Sequence, residues 1–292
     1  GTGQSVYVKG GPNRDPSVAV DDKEELSKQY PNKEGNANIW DPEIYRTSNV
    51  HINGTLGNTI EFWAKLDASI SGNVYPVVAG NEVGNRIQIA YNTTSSILGL
   101  TYTDDTTTGL SGANGRVTLS GFLGTTWAHY AFSFINSGTD VQAEVYKNGT
   151  RVALLTASGT NVGSISQAQT FLNINGTASG TDTANGLYVD EFRFWKQRRT
   201  EEQIGRHWFT NVNGGTNTDN EKYNKENNKI DLGVYFKFNE GVTGNESIDS
   251  IVLDYSGRIS NGTISGYDLN VRKLTSALDE YGLFDDLETK DP

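Results

Sequence analysis

The chain has 292 residues, and 35 acidic against 24 basic side chains give it a net charge of −11, which repels a phosphate backbone and argues against nucleic-acid binding. With no cysteine and no methionine, disulfides, thiolate nucleophiles and cysteine–zinc sites are excluded. Its 33 glycines against 6 prolines, with 10% aromatic residues, suit many strands joined by tight turns rather than a helical bundle.

No apolar run approaches the roughly 20 residues that a membrane span needs. The Gly1-Thr2-Gly3 start, without a methionine or a signal peptide, leads to the expectation of a processed product or an excised piece of something larger. Residues 1–47 read as an extension: SVYV at 5–8 is a short strand, and DDKEELSKQY at 21–30 has the charge order of a short surface helix, stopped by Pro31.

From about residue 48 the pattern changes to strands. In TIEFWAKL (59–66) Ile60, Phe62, Ala64 and Leu66 share one face, the period of a half-buried strand. Further strands are expected at 74–80, 86–91 and 97–102, then a Thr/Gly/Asp-rich loop at 104–115 and an aromatic strand at 126–134. Val141, Ala143 and Val145 alternate before Asn148-Gly149, and Val152 and Leu154 follow it. Asn-Gly between alternating runs predicts a type I′ hairpin, whose two central residues need positive φ.

Strands at 171–174 and 187–195 come next, then a short helix in which Thr200 caps and Gln203 stands at the capping-box position. Residues 211–230 are almost wholly polar and read as a linker or a long loop. Alternation returns at 232–238, 252–255 and 263–264, and 276–292 read as an acidic tail, loosely docked.

Four of these segments, in this order, resemble the laminin G-like domains of the concanavalin A-like lectin/glucanase superfamily. They are TIEFWAKL (59–66), WAHYAFSF with its VQAEVYKNGTRV hairpin (127–152), LYVDEFRFWKQRRTEEQI (187–204), and LGVYFKFNEG with VLDYSGRISNG (232–262). The resemblance implies an all-β fold, a two-sheet antiparallel jelly-roll β-sandwich with short peripheral helices. Residues 48–210 are then the sandwich, and residues 231–275 either pack on it or begin a second copy. Phe62, Trp63, Trp127, Phe132, Phe134, Phe192, Phe194 and Trp195 are expected to fill the space between the sheets.

The same resemblance covers lectins, glycoside hydrolases and polysaccharide lyases. Retaining hydrolases need two carboxylates about 5 Å apart, which enzymes of this fold supply as E-x-D-x-x-E. Glu246 with Asp249 and Asp190 with Glu191 both fail that spacing. Neither G-x-S-x-G, H-E-x-x-H, a P-loop nor G-x-G-x-x-G occurs. His51, His129 and His207 are the only imidazoles, and His129, alternating against Tyr130, is expected to face solvent or a groove.

The expectation is therefore a non-catalytic, lectin-like adhesion or structural module on an extracellular or virion surface, holding carbohydrate or a neighbouring structural protein. No nucleic acid and no membrane insertion are expected, while a homo-oligomer or a larger assembly fits the same reading. The C-terminal wording also resembles segments of phage virion proteins. The alternative is a carbohydrate-active enzyme of the same fold, or its binding module.

An exposed aromatic beside Asn or Asp groups at a loop tip would hold a glycan, with Tyr91, Tyr102 and Trp208 as candidates. Ca2+ is the cation that the resemblance suggests, with Asp104, Asp105, Asp140 and Asp190 as candidate ligands and Asn114 or Asn136 nearby. N-x-S/T sequences begin at Asn53, Asn92, Asn148, Asn175, Asn245 and Asn261, four of them Asn-Gly-Thr, a pattern that turn chemistry alone explains.

Overall fold

The computed structural model describes residues 5–9, 50, 52–80, 86–104, 109–163, 171–176, 186–210, 212, 232–240, 242–256, 261–265, 267 and 277. The helix expected at 21–30, together with His51 and Asp105, lies outside them. In chain order the strands are β1 (Ser5–Lys9), β2 (Asn58–Leu66), β3 (Asn73–Gly80), β4 (Arg86–Asn92), β5 (Ile97–Thr103), β6 (Arg116–Thr118), β7 (Ala128–Ser137), β8 (Asp140–Lys147), β9 (Thr150–Ala157), β10 (Phe171–Ile174), β11 (Leu187–Trp195), β12 (Leu232–Phe236), β13 (Ile251–Val252) and β14 (Gly262–Ser265). Two short helices join them, α1 (Glu201–His207) and α2 (Glu246–Asp249).

Among the described residues these strands form two antiparallel sheets. The eight-stranded sheet runs β13-β14-β1-β10-β3-β4-β5-β6 and the six-stranded sheet β12-β11-β2-β7-β8-β9. Alternation decides which side chains meet between them, because successive residues of a strand point to opposite faces. Ile60, Phe62 and Ala64 of β2 and Tyr130, Phe132 and Phe134 of β7 face Val77, Ile87, Ile89, Leu98 and Leu100 of the other sheet in one buried core. Phe62 lies 5.9 Å from Phe132 and 6.3 Å from Phe192 between ring centres, distances at which offset stacking is favourable.

Chain order does not match position in space. β1 lies between β14 and β10, pairing Val6 with Ile264 on one side and with Ile174 on the other. Residues 1–47 are therefore not simply an extension, since they supply an interior strand. From the C-terminal part, β12 adds to the six-stranded sheet beside β11, while β13 and β14 add to the eight-stranded one. Within the nominally polar stretch, Val212 is buried against Trp195 and Leu232.

Local signals are realised where they are short-range. Asn148 and Gly149 have φ of 48° and 73°, the two positive values that a type I′ turn requires. Thr200 accepts from the Gln203 amide and the Gln203 side chain accepts from the Thr200 amide, a complete capping box at the start of α1. No described helix is long and apolar enough to cross a membrane.

Candidate functional site

The outer face of the six-stranded sheet is not left to solvent. Thr59, Glu61 and Trp63 of β2, His129, Ala131 and Ser133 of β7, and Arg193 of β11 are all buried there, although alternation points them away from the inter-sheet core. Their cover is the segment that leaves β11 and runs through α1. Hydroxyls on the strands stitch it down: the Arg199 amide donates to Thr59 Oγ1 at 2.7 Å, and Ser133 Oγ donates to the Arg199 carbonyl at 3.0 Å. Ile204 of α1 then packs on Ala131 and Tyr146.

Under this cover lies a charge network centred on Glu61, only 1% exposed. Arg199 Nε lies 2.9 Å from Glu61 Oε1, while Arg193 Nη1 and His129 Nε2 approach Oε2 at 3.5 and 3.7 Å. Burial pushes the Glu61 carboxyl up, but Arg199, His129 and Arg193 together outweigh it and hold the group at about 2. Burial also lowers His129, against the pull of Glu61, so the imidazole is held towards its neutral form.

A β-bulge extends the network to a second carboxylate. Between Asp190 and Arg193 the β2–β11 register shifts, and Glu191 takes a φ of 50°. Glu191 Oε2 accepts from Arg193 Nη2 at 3.3 Å and from the Tyr235 hydroxyl, and Arg193 also donates to the Thr210 carbonyl at 2.5 Å. Arg193 and Arg199 each meet a carboxylate and a carbonyl, the condition under which buried charge is tolerated.

At one end of this face an aromatic row crosses the strands and reaches the surface. Trp63, fully buried, lies 5.5 Å from Trp208, which lies 5.4 Å from Phe209. Trp208 is half-buried and Phe209 is 42% exposed. Beside them is the β8–β9 turn, so close that a Cβ on Gly149 would sit 2.3 Å from Trp208 Cδ1. Asn148 Oδ1 accepts from the His129 amide at 2.8 Å, tying that turn to β7.

On the other side, half-buried Trp127 packs against the cluster formed by Trp63 and Ala277. Lys65 Nζ lies 4.8 Å from the Trp127 ring centre and 5.6 Å from that of Tyr188, within cation–π range. The Tyr188 hydroxyl donates to Asp67 Oδ2 at 3.3 Å.

The three glycan candidates separate. Tyr91 and Tyr102 are core residues: Tyr91 donates to the Leu119 carbonyl at 3.0 Å, and Tyr102 stacks on Phe134 and donates to Asn58. Rings facing the inter-sheet core cannot meet a sugar from outside, which corrects that expectation for both. Trp208 alone of the three reaches the surface. His129 does sit opposite Tyr130 in alternation, but it is covered rather than facing solvent or a groove. Trp63 and Trp195 lie outside the inter-sheet space too, because they alternate with Phe62 and Phe194.

The described aspartates are engaged with backbone amides in different places. Asp104 accepts from the Gly163 amide, Asp140 from that of Gly159 at 3.3 Å, and Asp190 from those of Glu191 at 3.0 Å and Ala277 at 2.6 Å. Asn136 bonds both the amide and the carbonyl of Val162, and Asn114 is exposed in the turn before β6. Among the described residues no three His, Asp or Glu side chains converge as a metal cage, and Asp105 lies outside them.

Residues 44–205, more than half of the chain, match the family described as the concanavalin A-like lectin/glucanases superfamily. No curated protein sequence is significantly similar to the chain. Among solved structures, a candidate carbohydrate-binding protein of Bacteroides ovatus is similar at 16% identity and a TM-score of 0.48, covering 91% of this chain and 58% of that one. A Trypanosoma rangeli sialidase is similar at 14% identity and a TM-score of 0.38, covering 51% of this chain and 22% of the other. A SAP-like pentraxin of Limulus polyphemus is similar at 15% identity and a TM-score of 0.37, covering 56% and 74%.

Proposed function

The chain belongs to the concanavalin A-like lectin/glucanases superfamily, and on that premise we propose that it is a non-catalytic carbohydrate-binding module, with its sugar contact at Trp208 and Phe209 beside the Asn148–Gly149 turn. The observation that carries this reading is the exposure of Phe209, 42% open to solvent and braced edge-on by Trp208. A partly exposed ring braced by an indole that rests on a polar turn offers apolar area at little entropic cost, the chemistry that meets the C–H face of a pyranose.

The hydrolase alternative needs an acid and a base that a sugar can reach. In the network centred on Glu61, that residue and Glu191 share Arg193 as a partner. They are 1% and 7% exposed and lie beneath the α1 segment. A carboxyl held at about 2 carries no proton to donate at neutral pH.

The test is a glycan array run with and without EDTA, beside reducing-sugar release from a polysaccharide panel. Wild-type protein is expected to bind, Phe209→Ala to lose most of that binding without a change in melting temperature, and no sugar to be released. Because the aromatic contact needs no cation, binding is expected to survive EDTA. Steady sugar release would move the chain to the glucanase half of its family, and EDTA-sensitive binding that ignores Phe209 would overturn the placement of the site at this ring.

A further inference from the structure

Resting on that reading, we propose that the ligand is an extended polysaccharide, held at a second contact formed by Trp127, Lys65, Tyr188 and Asp67 at the far end of the aromatic row. Register places this group at the same end of the sheet as the β8–β9 turn, against which Trp208 rests. Lys65 pairs with Tyr188 across β2 and β11, Trp127 immediately precedes β7, and the β8–β9 turn lies beyond β7. From β11 to the β8–β9 turn is three strand steps, a span of about 15 Å. One pyranose ring cannot cover it, but a short run of linked sugars can.

The middle of the row is closed to ligand. Ala277 is fully buried over Trp63, and its amide donates to Asp190 Oδ2 at 2.6 Å. Among the described residues of the row, the two ends remain for contact, which is the layout of a two-point grip on a chain rather than of a pocket for a terminal sugar.

The chemistry of the second contact suits hydroxyl recognition. Trp127 and Tyr188 offer half-exposed ring surface, and the Lys65 ammonium bridges their faces on a flexible stem. Asp67 is an acceptor already oriented by the Ser69 amide at 2.9 Å and hydroxyl at 2.7 Å. Trp127 Nε1 is buried and has no acceptor among the described residues, a donor that the fold leaves unused beneath the Lys65 side chain. Donor and acceptor groups flanking apolar ring faces match the hydroxyls and C–H patches of a sugar chain.

Two linked contacts make the second binding event intramolecular, so affinity rises with chain length once both ends are spanned. Isothermal titration with cello-, xylo-, manno- and galacto-oligosaccharides, each as disaccharide and hexasaccharide, reads this directly. For whichever series binds, the hexasaccharide is expected to bind at least about tenfold more tightly than the disaccharide. Lys65→Ala and Tyr188→Ala, both at half-exposed positions, should each remove that gain while leaving disaccharide binding at the Phe209 end unchanged. Trp127→Ala should do the same, with a thermal melt to separate lost binding from lost folding. Equal affinity for short and long chains, or a gain that survives all three substitutions, overturns the second contact and leaves the carbohydrate reading standing. Wild-type protein that binds none of these sugars and no array glycan overturns both.

Discussion

Glu61 shows how one residue can hold a sheet face together. Desolvating a carboxylate is unfavourable by several kcal/mol, and only the two guanidinium groups and the imidazole around it offset that. Glu61→Gln would take the shared carboxylate from both guanidinium groups, leaving Arg193 with Glu191 as its anion, a change that costs about 3–5 kcal/mol. Acid should act on the same network. His129 is held below its ordinary 6.5, so the unfolded chain takes up a proton that the folded one resists, and stability falls as pH drops below that value. Glu61 is held at about 2 against an ordinary 4.5, so its contribution is complete above 4.5 and lost between there and 2, a term on the order of 3 kcal/mol. Both signs agree. Urea midpoints measured across this range should stay level above pH 7, decline below about 6.5 and fall more steeply below about 4.5, whereas Glu61→Gln should start lower and show a shallower second fall, Glu144 and Asp67 being held low as well. A wild-type profile flat down to pH 4 would mean that the network is not as close-set as its distances state. The alternation of His129 against Tyr130 was legible in the sequence, whereas Trp63, which shares the face of Glu61, was expected between the sheets. What could not be read was that residues 196–212 fold back over that face, because no local pattern announces what covers a strand.

Among the elements, the β8–β9 hairpin joins fold to function. Its turn is written in two residues, Asn148 and Gly149, whose positive φ values make it type I′. Gly149 has a second task, since the Trp208 indole rests where a side chain would be. Gly149→Ala is therefore strained twice, by about 1–2 kcal/mol for the left-handed backbone and by a Cβ 2.3 Å from Trp208 Cδ1. The expected result is a lower melting temperature together with a shift in tryptophan emission and weaker sugar binding, as Trp208 and the Phe209 it braces are displaced. A variant with unchanged emission and affinity would show that the turn and the aromatic row are independent. The hairpin and the capping box of α1 were both legible because each is decided within about four residues. The company Trp208 keeps was not, because Trp63 and Gly149 meet it from distant parts of the chain. The same limit explains why Tyr91 and Tyr102 read as plausible surface rings: alternation says that they share a face, not which face the second sheet closes over.

At the scale of the whole molecule, the placement of β1 decides how the C-terminal strands are retained. Composition marks residues 1–47 as an appendage, yet Ser5–Lys9 pairs on both sides, with β10 through four residue pairs and with β14 through three. In the sheet order, β13 and β14 reach the rest of the eight-stranded sheet through β1, and pairings across such sequence distances leave no trace in a local pattern. Removing residues 1–9 takes away that bridge while leaving the charge network and the six-stranded sheet intact. The truncated chain should then unfold in two steps. An early step at low urea should release the β13–β14 segment, with amide exchange accelerated at Val252 and Ile264, and a later one should match the unfolding of the remaining sandwich. Sugar binding should persist between the two steps, because every residue of the aromatic row sits on the other sheet or on its cover. A single transition at the wild-type midpoint would show that the C-terminal strands hold without β1. Loss of sugar binding in the first step would instead tie the two sheets together more closely than their separate edges imply.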